Sequence, residues 1–169
     1  MGISNLNHAV LYVRDAERSA AFYRDVLGFT TAAEFPGGAF LRAPESTNDH
    51  DIAFFTIGAG AGPSQAGRST VGLYHLAWEV RTLAELVEVE AALREAGALA
   101  GASDHTASKS LYAKDPDGLE FEVCWVVPVA LLGDAATPTG IRPMPLDLDR
   151  EVARFGAHTP GGTASPVAG

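Results

Sequence analysis

Two histidines and one glutamate stand at places in the sequence where they could bind a metal ion. His8 and His75 occupy the third position of two short apolar runs, LNHAVLYV and LYHLAWEV, and Glu122 lies inside a third run, LEFEVCW. Two imidazoles and one carboxylate form the facial triad that holds non-haem Fe(II) and leaves other coordination positions open. A carboxylate in such an apolar strand is costly to bury unless it is paired or bound to a metal. The ordinary alternative is two hydrogen-bonded core histidines and a surface glutamate.

Alternation of side chains along a strand predicts which residues share a face with each candidate. His8 is expected to share a face with Val10 and Tyr12. His75 is expected to share one with Ala77 and Glu79, and Glu122 with Glu120 and Cys124. The opposite faces are apolar and suited to pack under helices, which places both histidines on a concave side. Because Glu120 and Glu122 share a face, strand geometry alone does not choose between the two carboxylates.

The elements around these residues form an internal repeat. Each histidine-containing run is followed by a helix signal, with Asp15 as an N-cap and Gly28 as a stop in the first copy. In the second copy Thr82 and Glu85 form a capping box, and Gly97 is the stop. The apolar stripe predicted for this second helix consists of Leu83, Leu86, Val87 and Leu93.

Three strand-like runs follow each helix, so each half of the chain is predicted to be a βαβββ module. The runs cover residues 29–35, 38–43 and 51–57 in the first half and 98–103, 109–114 and 119–127 in the second. We therefore expect an α+β fold of paired βαβββ modules that closes around a metal-binding cleft. The expected organisation is a first module at 1–57, a linker at 58–72, a second module at 73–128 and a Pro/Gly-rich C-terminal arm at 129–169.

The C-terminal arm differs in composition from the two modules. It is rich in proline and glycine, and only residues 147–155, DLDREVARF, have the pattern of a short helix. We expect an extended arm that packs on the domain or on a neighbouring subunit and has a disordered end.

Composition limits the classes of partner. The 169 residues carry 12 Lys and Arg against 21 Asp and Glu, for a net charge of −9, which argues against nucleic acid or an anionic membrane surface. Cys124 is the one cysteine, so no internal disulfide forms. The sequence start has no basic region followed by a long apolar run, and no stretch of the chain suits a membrane span. We therefore expect a soluble cytoplasmic protein.

The candidate residues and the repeat together carry a family resemblance. The two modules, His8, the GLYHLAWEV stretch around His75 and the DPDGLEFEV segment at 115–123 resemble the vicinal oxygen chelate superfamily over about residues 4–128. That superfamily includes glyoxalase I, type I extradiol dioxygenases, fosfomycin-resistance enzymes and bleomycin-binding proteins. The DPDG turn followed by a glutamate is its most specific part here. The resemblance implies a metal bound by His8, His75 and Glu122, with Glu122 rather than Glu120 as the ligand.

Two features suggest which members are most similar. Glyoxalase I has a fourth ligand on the last strand of its first half, whereas the equivalent run here, residues 52–56, has no carboxylate at its centre. Residues 101–118 resemble catechol 2,3-dioxygenase-like single-domain proteins, in which a His and a Tyr precede the ligand Glu. The resemblance therefore implies that His105 is an acid/base or substrate-orienting residue and that Tyr112 donates a hydrogen bond to substrate. On adjacent antiparallel strands, Tyr112 and Glu122 should lie close together.

One position departs from the pattern of the larger extradiol enzymes. They carry another active-site His upstream of the second metal His, and that place is Gly60 here. His50 is the nearest histidine, and its place in the fold does not follow from the sequence. Arg42, Lys109 and Lys114 are cations that could meet a substrate carboxylate, but the sequence does not place them either.

These observations lead to one principal functional hypothesis and two alternatives. The principal one is Fe(II)-dependent extradiol cleavage of a catechol-like aromatic by O2, in a protein that forms a homodimer or a higher homo-oligomer. Mn, Ni or Zn are the other candidate metals. The alternatives are isomerase, lyase or transferase chemistry of the glyoxalase or fosfomycin type without O2, and sequestration of a small molecule such as a drug.

Overall fold

The computed structural model describes residues 2–67, 69–132 and 143–162. Two successive βαβββ motifs make up an α+β fold, as predicted. The first motif consists of β1 (Ala9–Val13), α1 (Ala16–Leu27), β2 (Thr30–Phe35), β3 (Gly38–Arg42) and β4 (Ile52–Thr56). The second consists of β5 (Leu76–Glu79), α2 (Leu83–Glu95), β6 (Leu99–Asp104), β7 (Ser108–Lys114) and β8 (Glu120–Val126). The remaining elements are α3 (Val129–Leu132), β9 (Met144–Pro145) and α4 (Leu148–Phe155).

The two motifs have the same strand order. The first sheet runs β1-β4-β3-β2 and the second runs β5-β8-β7-β6-β9. In each sheet the first strand pairs in parallel with the last strand of its motif, and the other pairs are antiparallel. This order brings the strand that follows each predicted metal-binding histidine next to the last strand of the same motif. In the second motif that neighbour carries Glu122.

Helix α1 begins and ends where the sequence predicts. The Asp15 carboxylate accepts hydrogen bonds from the backbone N–H groups of Glu17 and Arg18, which have no partner within the helix. Gly28 ends the helix with φ 74°, a left-handed conformation that glycine adopts without a steric penalty. The inward face of α1 includes Tyr23, which packs edge-on against Phe29 in the first core.

Helix α2 begins with the predicted capping box, because Thr82 and Glu85 each bind the other's backbone N–H. Ala96 caps its C-terminus and the predicted stop, Gly97, follows with φ 65°. Leu83, Leu86 and Leu93 are buried as predicted. Val87 is not, since 38% of it is exposed, and the predicted stripe is wrong at that position.

The described residues group into two compact units. The first contains the residues up to Gln65 together with the turn Asp115–Leu119, and the second contains the rest. Within the first unit, Asp117 of the DPDG turn accepts a hydrogen bond from the backbone N–H of Arg14, at 2.7 Å. Its carboxylate also binds the guanidinium groups of Arg14 and Arg18 at 2.9 and 2.8 Å. In the sequence this turn supported the family resemblance, and nothing in the sequence indicated these ion pairs.

The described C-terminal residues fold onto the second unit. The helix predicted at 147–155 is confirmed as α4, which packs against α2, and β9 pairs with β6. The backbone N–H of Gly161 donates to the carbonyl of Arg81 at 2.7 Å. The expected disordered end falls mainly on residues 163–169, outside the described residues. None of the helices in the described part of the chain is long and apolar enough to cross a membrane.

Candidate metal site

The structure brings His75 and Glu122 into direct contact. His75 immediately precedes β5, and Glu122 lies in the middle of β8 opposite Ala77. The Nε2 atom of His75 lies 3.1 Å from the Oε2 atom of Glu122, and the two side chains are 24% and 13% exposed. The other ring nitrogen of His75, Nδ1, is buried and has no hydrogen-bond partner among the described residues.

This pair has donor chemistry and spacing suited to a divalent cation. Imidazole nitrogen and carboxylate oxygen bind transition metals at about 2.1 Å, so two such atoms at right angles around one ion are roughly 3 Å apart. The observed 3.1 Å between His75 Nε2 and Glu122 Oε2 matches that spacing. The two residues therefore fit neighbouring positions in a coordination sphere.

The two carboxylates that sequence geometry left as alternatives have different partners. Glu122 faces His75, whereas the Oε1 atom of Glu120 lies 3.7 Å from the Nζ atom of Lys114. The alternation predicted for this strand is confirmed, since Phe121, Val123 and Trp125 are buried and the residues between them are half-buried. This arrangement favours Glu122 over Glu120 as the ligand.

Tyr112 and His105 lie beside this pair in the same unit. Tyr112 stands directly opposite Glu122 in the β7–β8 ladder, which confirms the predicted proximity. The Nε2 atom of His105 and the hydroxyl of Tyr112 form a hydrogen bond of 2.8 Å, and the rings of Tyr112 and His75 lie 5.9 Å apart. Burial, and then the Glu122 carboxylate, raise the pKa of Tyr112, so its hydroxyl keeps its proton at neutral pH.

His105 stands in the turn between β6 and β7. Its backbone N–H donates to the carbonyl of Ser108 at 2.9 Å, and Thr106 next to it has φ 68°. A left-handed conformation is uncommon for a threonine and needs support from its surroundings. The backbone N–H of Thr106 supplies part of that support by donating to the Asp104 carboxylate at 2.7 Å.

His8 lies in the first unit and contacts a second histidine. Its ring stacks on the ring of His50 with centroids 4.4 Å apart, and its Nδ1 atom lies 2.6 Å from Asn7 Oδ1. His50 in turn contacts Asp49 at 3.1 Å and the ring of Phe40. The Nε2 atom of His50 is buried without a hydrogen-bond partner in the described part of the chain. Sequence reasoning identified His50 only as the nearest histidine and had no signal for its contact with His8.

The three predicted ligands do not form one recognisable group. Across residues 2–67, 69–132 and 143–162, no three or more His, Cys, Asp or Glu side chains are arranged to hold a metal ion. His75 and Glu122 are brought together, and His8 lies with His50. The set of three ligands therefore stays a prediction.

Two further side chains, Cys124 and Lys109, are partly or fully withdrawn from solvent in the second unit. Burial, together with Glu122 and Glu79, raises the pKa of Cys124 to about 12, which keeps the thiol protonated at neutral pH. Lys109, considered as a contact for a substrate carboxylate, is completely buried and bound to Asp104 and Glu151. Lys109, which the sequence did not place, is thus not available to a substrate carboxylate, because its ammonium lies in the interior between two carboxylates.

Comparisons with known proteins identify the family of this chain. The family model of the Glyoxalase/Bleomycin resistance protein/Dioxygenase superfamily matches residues 5–123. Biphenyl-2,3-diol 1,2-dioxygenase 3 of Rhodococcus globerulus is 34% identical over 114 residues, which cover 67% of this chain and 58% of that protein. Catechol-2,3-dioxygenase of Bacillus subtilis (strain 168) is 33% identical over 123 residues, 71% of this chain and 41% of that protein. The chain thus matches about half the length of these relatives.

A solved structure shows the same fold. A glyoxylase/bleomycin resistance protein/dioxygenase domain from Frankia sp. EAN1pec superposes with a TM-score of 0.59 at 23% identity. The superposition covers 73% of this chain and 92% of that one. With the family model matching most of the two βαβββ motifs, the chain belongs to the glyoxalase/bleomycin resistance protein/dioxygenase superfamily.

Proposed function

We propose that the protein is an Fe(II)-dependent extradiol dioxygenase acting on a catechol-like aromatic, with His8, His75 and Glu122 as metal ligands. The observation that carries the proposal is the juxtaposition of two pairs in one unit. The His75–Glu122 contact of 3.1 Å lies next to the His105–Tyr112 hydrogen bond of 2.8 Å. The names of the two curated relatives, both dioxygenases of vicinal diols, support it.

The chain's own residues have separate tasks in this proposal. His8, His75 and Glu122 would hold a divalent metal, which would supply a positive charge that lowers the pKa of a catechol hydroxyl. Tyr112, which keeps its proton, donates a hydrogen bond to a substrate oxygen on which negative charge develops. His105 accepts or returns a proton through the imidazole nitrogen that now contacts Tyr112.

The acidic and apolar surroundings help to define the site. Two carboxyl side chains lie on neighbouring strands of the second sheet, Glu79 on β5 and Glu122 on β8. Such a site favours a cation over an anion. In the proposed site the negative charge of the Glu122 carboxylate would be balanced by the positive charge of the metal.

The test is loading of the metal-free protein with Fe(II) under anaerobic conditions, followed by catechol and then air. We expect a yellow ring-fission product, with one O2 consumed per catechol cleaved. A portion of the same preparation loaded with Zn(II) is the control and should stay colourless. Turnover of a thiol adduct by the Mn(II)- or Ni(II)-loaded protein without O2, and no catechol cleavage, would contradict the proposal and favour lyase or transferase chemistry.

A further inference from the structure

A buried ion cluster connects the C-terminal helix to the β6–β7 hairpin. Lys109 on β7 is fully buried, and its ammonium contacts the carboxylate of Asp104 at the end of β6. The same Nζ atom lies 3.2 Å from Oε2 of Glu151 on α4, which is also fully buried. We name these three residues, Asp104, Lys109 and Glu151, the buried triad.

The buried triad holds α4 in a defined place. A charge taken out of water is costly unless its partners stay at close range, so Lys109 keeps both carboxylates beside it. Arg150 adds a contact of 3.0 Å to Glu151 from the outer side, and the ammonium of Lys109 lies 5.7 Å from the ring centre of Phe155. Helix α4 therefore meets the hairpin through charge as well as through apolar packing.

The other end of the buried triad is next to His105. The Oδ1 atom of Asp104 that binds Lys109 also accepts the backbone N–H of Thr106, the residue with φ 68°. The backbone of Asp104 lies opposite Met144 of β9. Asp104 is thus fixed on one side by the C-terminal segment and on the other side supports the left-handed turn that contains His105.

We propose that Glu151 and Lys109 are positioning residues that hold His105 against Tyr112 through Asp104 and the turn at Thr106. The meaning of this for catalysis rests on the proposed function, in which His105 and Tyr112 serve the substrate. Residues 148–155 of α4 lie beyond residues 5–123, the part matched by the family model. The segment that contains α4 therefore lies outside the matched residues and contacts the hairpin that carries His105.

The test uses the full-length chain without metal. Glu151→Gln removes the negative charge and keeps the side chain's size. Asp149→Asn is the matched control, because Asp149 is an exposed carboxylate on the same helix. In Glu151→Gln we expect about tenfold faster amide hydrogen exchange at Thr106 and changed ring nitrogen resonances for His105, with His8 and His50 unchanged. In Asp149→Asn none of these signals should change.

Thermal unfolding shows whether each variant is folded. If Glu151→Gln does not fold, Glu151→Asp replaces it. This variant keeps the negative charge, but its side chain is one methylene shorter, so the carboxylate lies farther from Lys109. A folded Glu151 variant whose Thr106 exchange and His105 resonances equal those of the wild type would overturn the proposal.

Steady-state kinetics separate this proposal from the proposed function. With Fe(II)-loaded protein and catechol as probe, Glu151→Gln should lower kcat about tenfold and leave KM for catechol unchanged. If the wild type does not cleave catechol, the proposed function fails, whereas the magnetic resonance result still decides the positioning role. If the wild type cleaves catechol and folded Glu151→Gln has the wild-type kcat, the positioning role fails alone.

Discussion

The two βαβββ motifs have one scaffold and different side chains at equivalent places. His8 lies two residues before Val10, which pairs with Ala53, and His75 lies two residues before Ala77, which pairs with Glu122. On the next strand Ala53 faces Phe40, and Glu122 faces Tyr112. Both motifs even have a bulge at the matching point of the outer hairpin, between Thr31 and Ala33 and between Leu99 and Gly101.

The two motifs carry different side chains at two equivalent register positions, one on each of their last two strands. In the first motif the pair Phe40–Ala53 is apolar, and the ring of His50 packs against Phe40. In the second motif the pair Tyr112–Glu122 is polar and contacts His105 and His75. The repeated histidine at the start of each motif is shared, so the asymmetry comes from the last two strands.

The units also differ in how they bury charge. In the second unit the buried triad is almost completely withdrawn from water. In the first unit the ion pairs of Asp117 keep their arginines partly exposed, at 28% for Arg14 and 51% for Arg18.

Lys109→Met should cause the largest loss of stability. It removes the buried ammonium from between two carboxylates and leaves Arg150 as a cation beside Glu151 on the exposed side. Removal of one partner from a buried ion pair costs about 3–5 kcal/mol. Lys114→Met, on the same strand at an exposed position, should change the free energy of unfolding by less than about 0.5 kcal/mol. Urea denaturation of the two variants measures both values, and equal midpoints would refute the importance of the buried triad.

Glu122→Ala gives the second motif an alanine at the register position where the first motif has Ala53. We expect the affinity for Mn(II) to fall by more than about 100-fold, since residues that merely support a ligand already cost about 10–100-fold. Glu120→Ala is the control on the same strand face and should leave the affinity near the wild-type value. Isothermal titration calorimetry gives both constants. A large loss for Glu120→Ala instead would move the ligand to that residue.

Tyr112→Phe gives the second motif a phenylalanine at the register position where the first motif has Phe40. Under the proposed reaction, loss of the hydroxyl should lower kcat for catechol roughly 100-fold, as expected for removal of one preorganised donor. Stability should fall by about 1 kcal/mol because the hydrogen bond to His105 is lost. The exposed Tyr12, changed to Phe, is the control in the first motif. An unchanged kcat in folded Tyr112→Phe would exclude a role in turnover.

Acid should weaken both units through one carboxylate each. Burial alone would raise the pKa of Asp104 and of Asp117, but Lys109 and the Thr106 N–H lower the first, and Arg14 and Arg18 lower the second. A carboxyl group whose pKa is lowered by folding contributes stability that is present above its unfolded pKa of about 3.9. This contribution is lost as pH falls through the folded pKa.

The free energy of unfolding should therefore decrease below about pH 4. Asp104→Asn and Asp117→Asn should each remove part of that decrease, which denaturant titrations at several pH values measure. A wild-type free energy of unfolding that stays constant from about pH 5 to pH 2 would contradict this.

The sequence was sufficient for features that depend on local pattern and repetition. The helix caps at Asp15 and Thr82, the strand alternation and the proximity of Tyr112 to Glu122 follow from periodicity and hairpin pairing. Lys109 could not be placed, because its partner Glu151 belongs to a helix far away in the sequence. The contact of His8 with His50 was equally hidden, since it depends on the path of the loop between β3 and β4.

The crystal structure of the protein loaded with Fe(II) under anaerobic conditions tests the proposed set of three metal ligands most directly. We expect one iron per chain, bound by Nε2 of His75, the carboxylate of Glu122 and the imidazole of His8. Iron bound at other residues, or His75 and Glu122 still in direct contact with no iron between them, would contradict it.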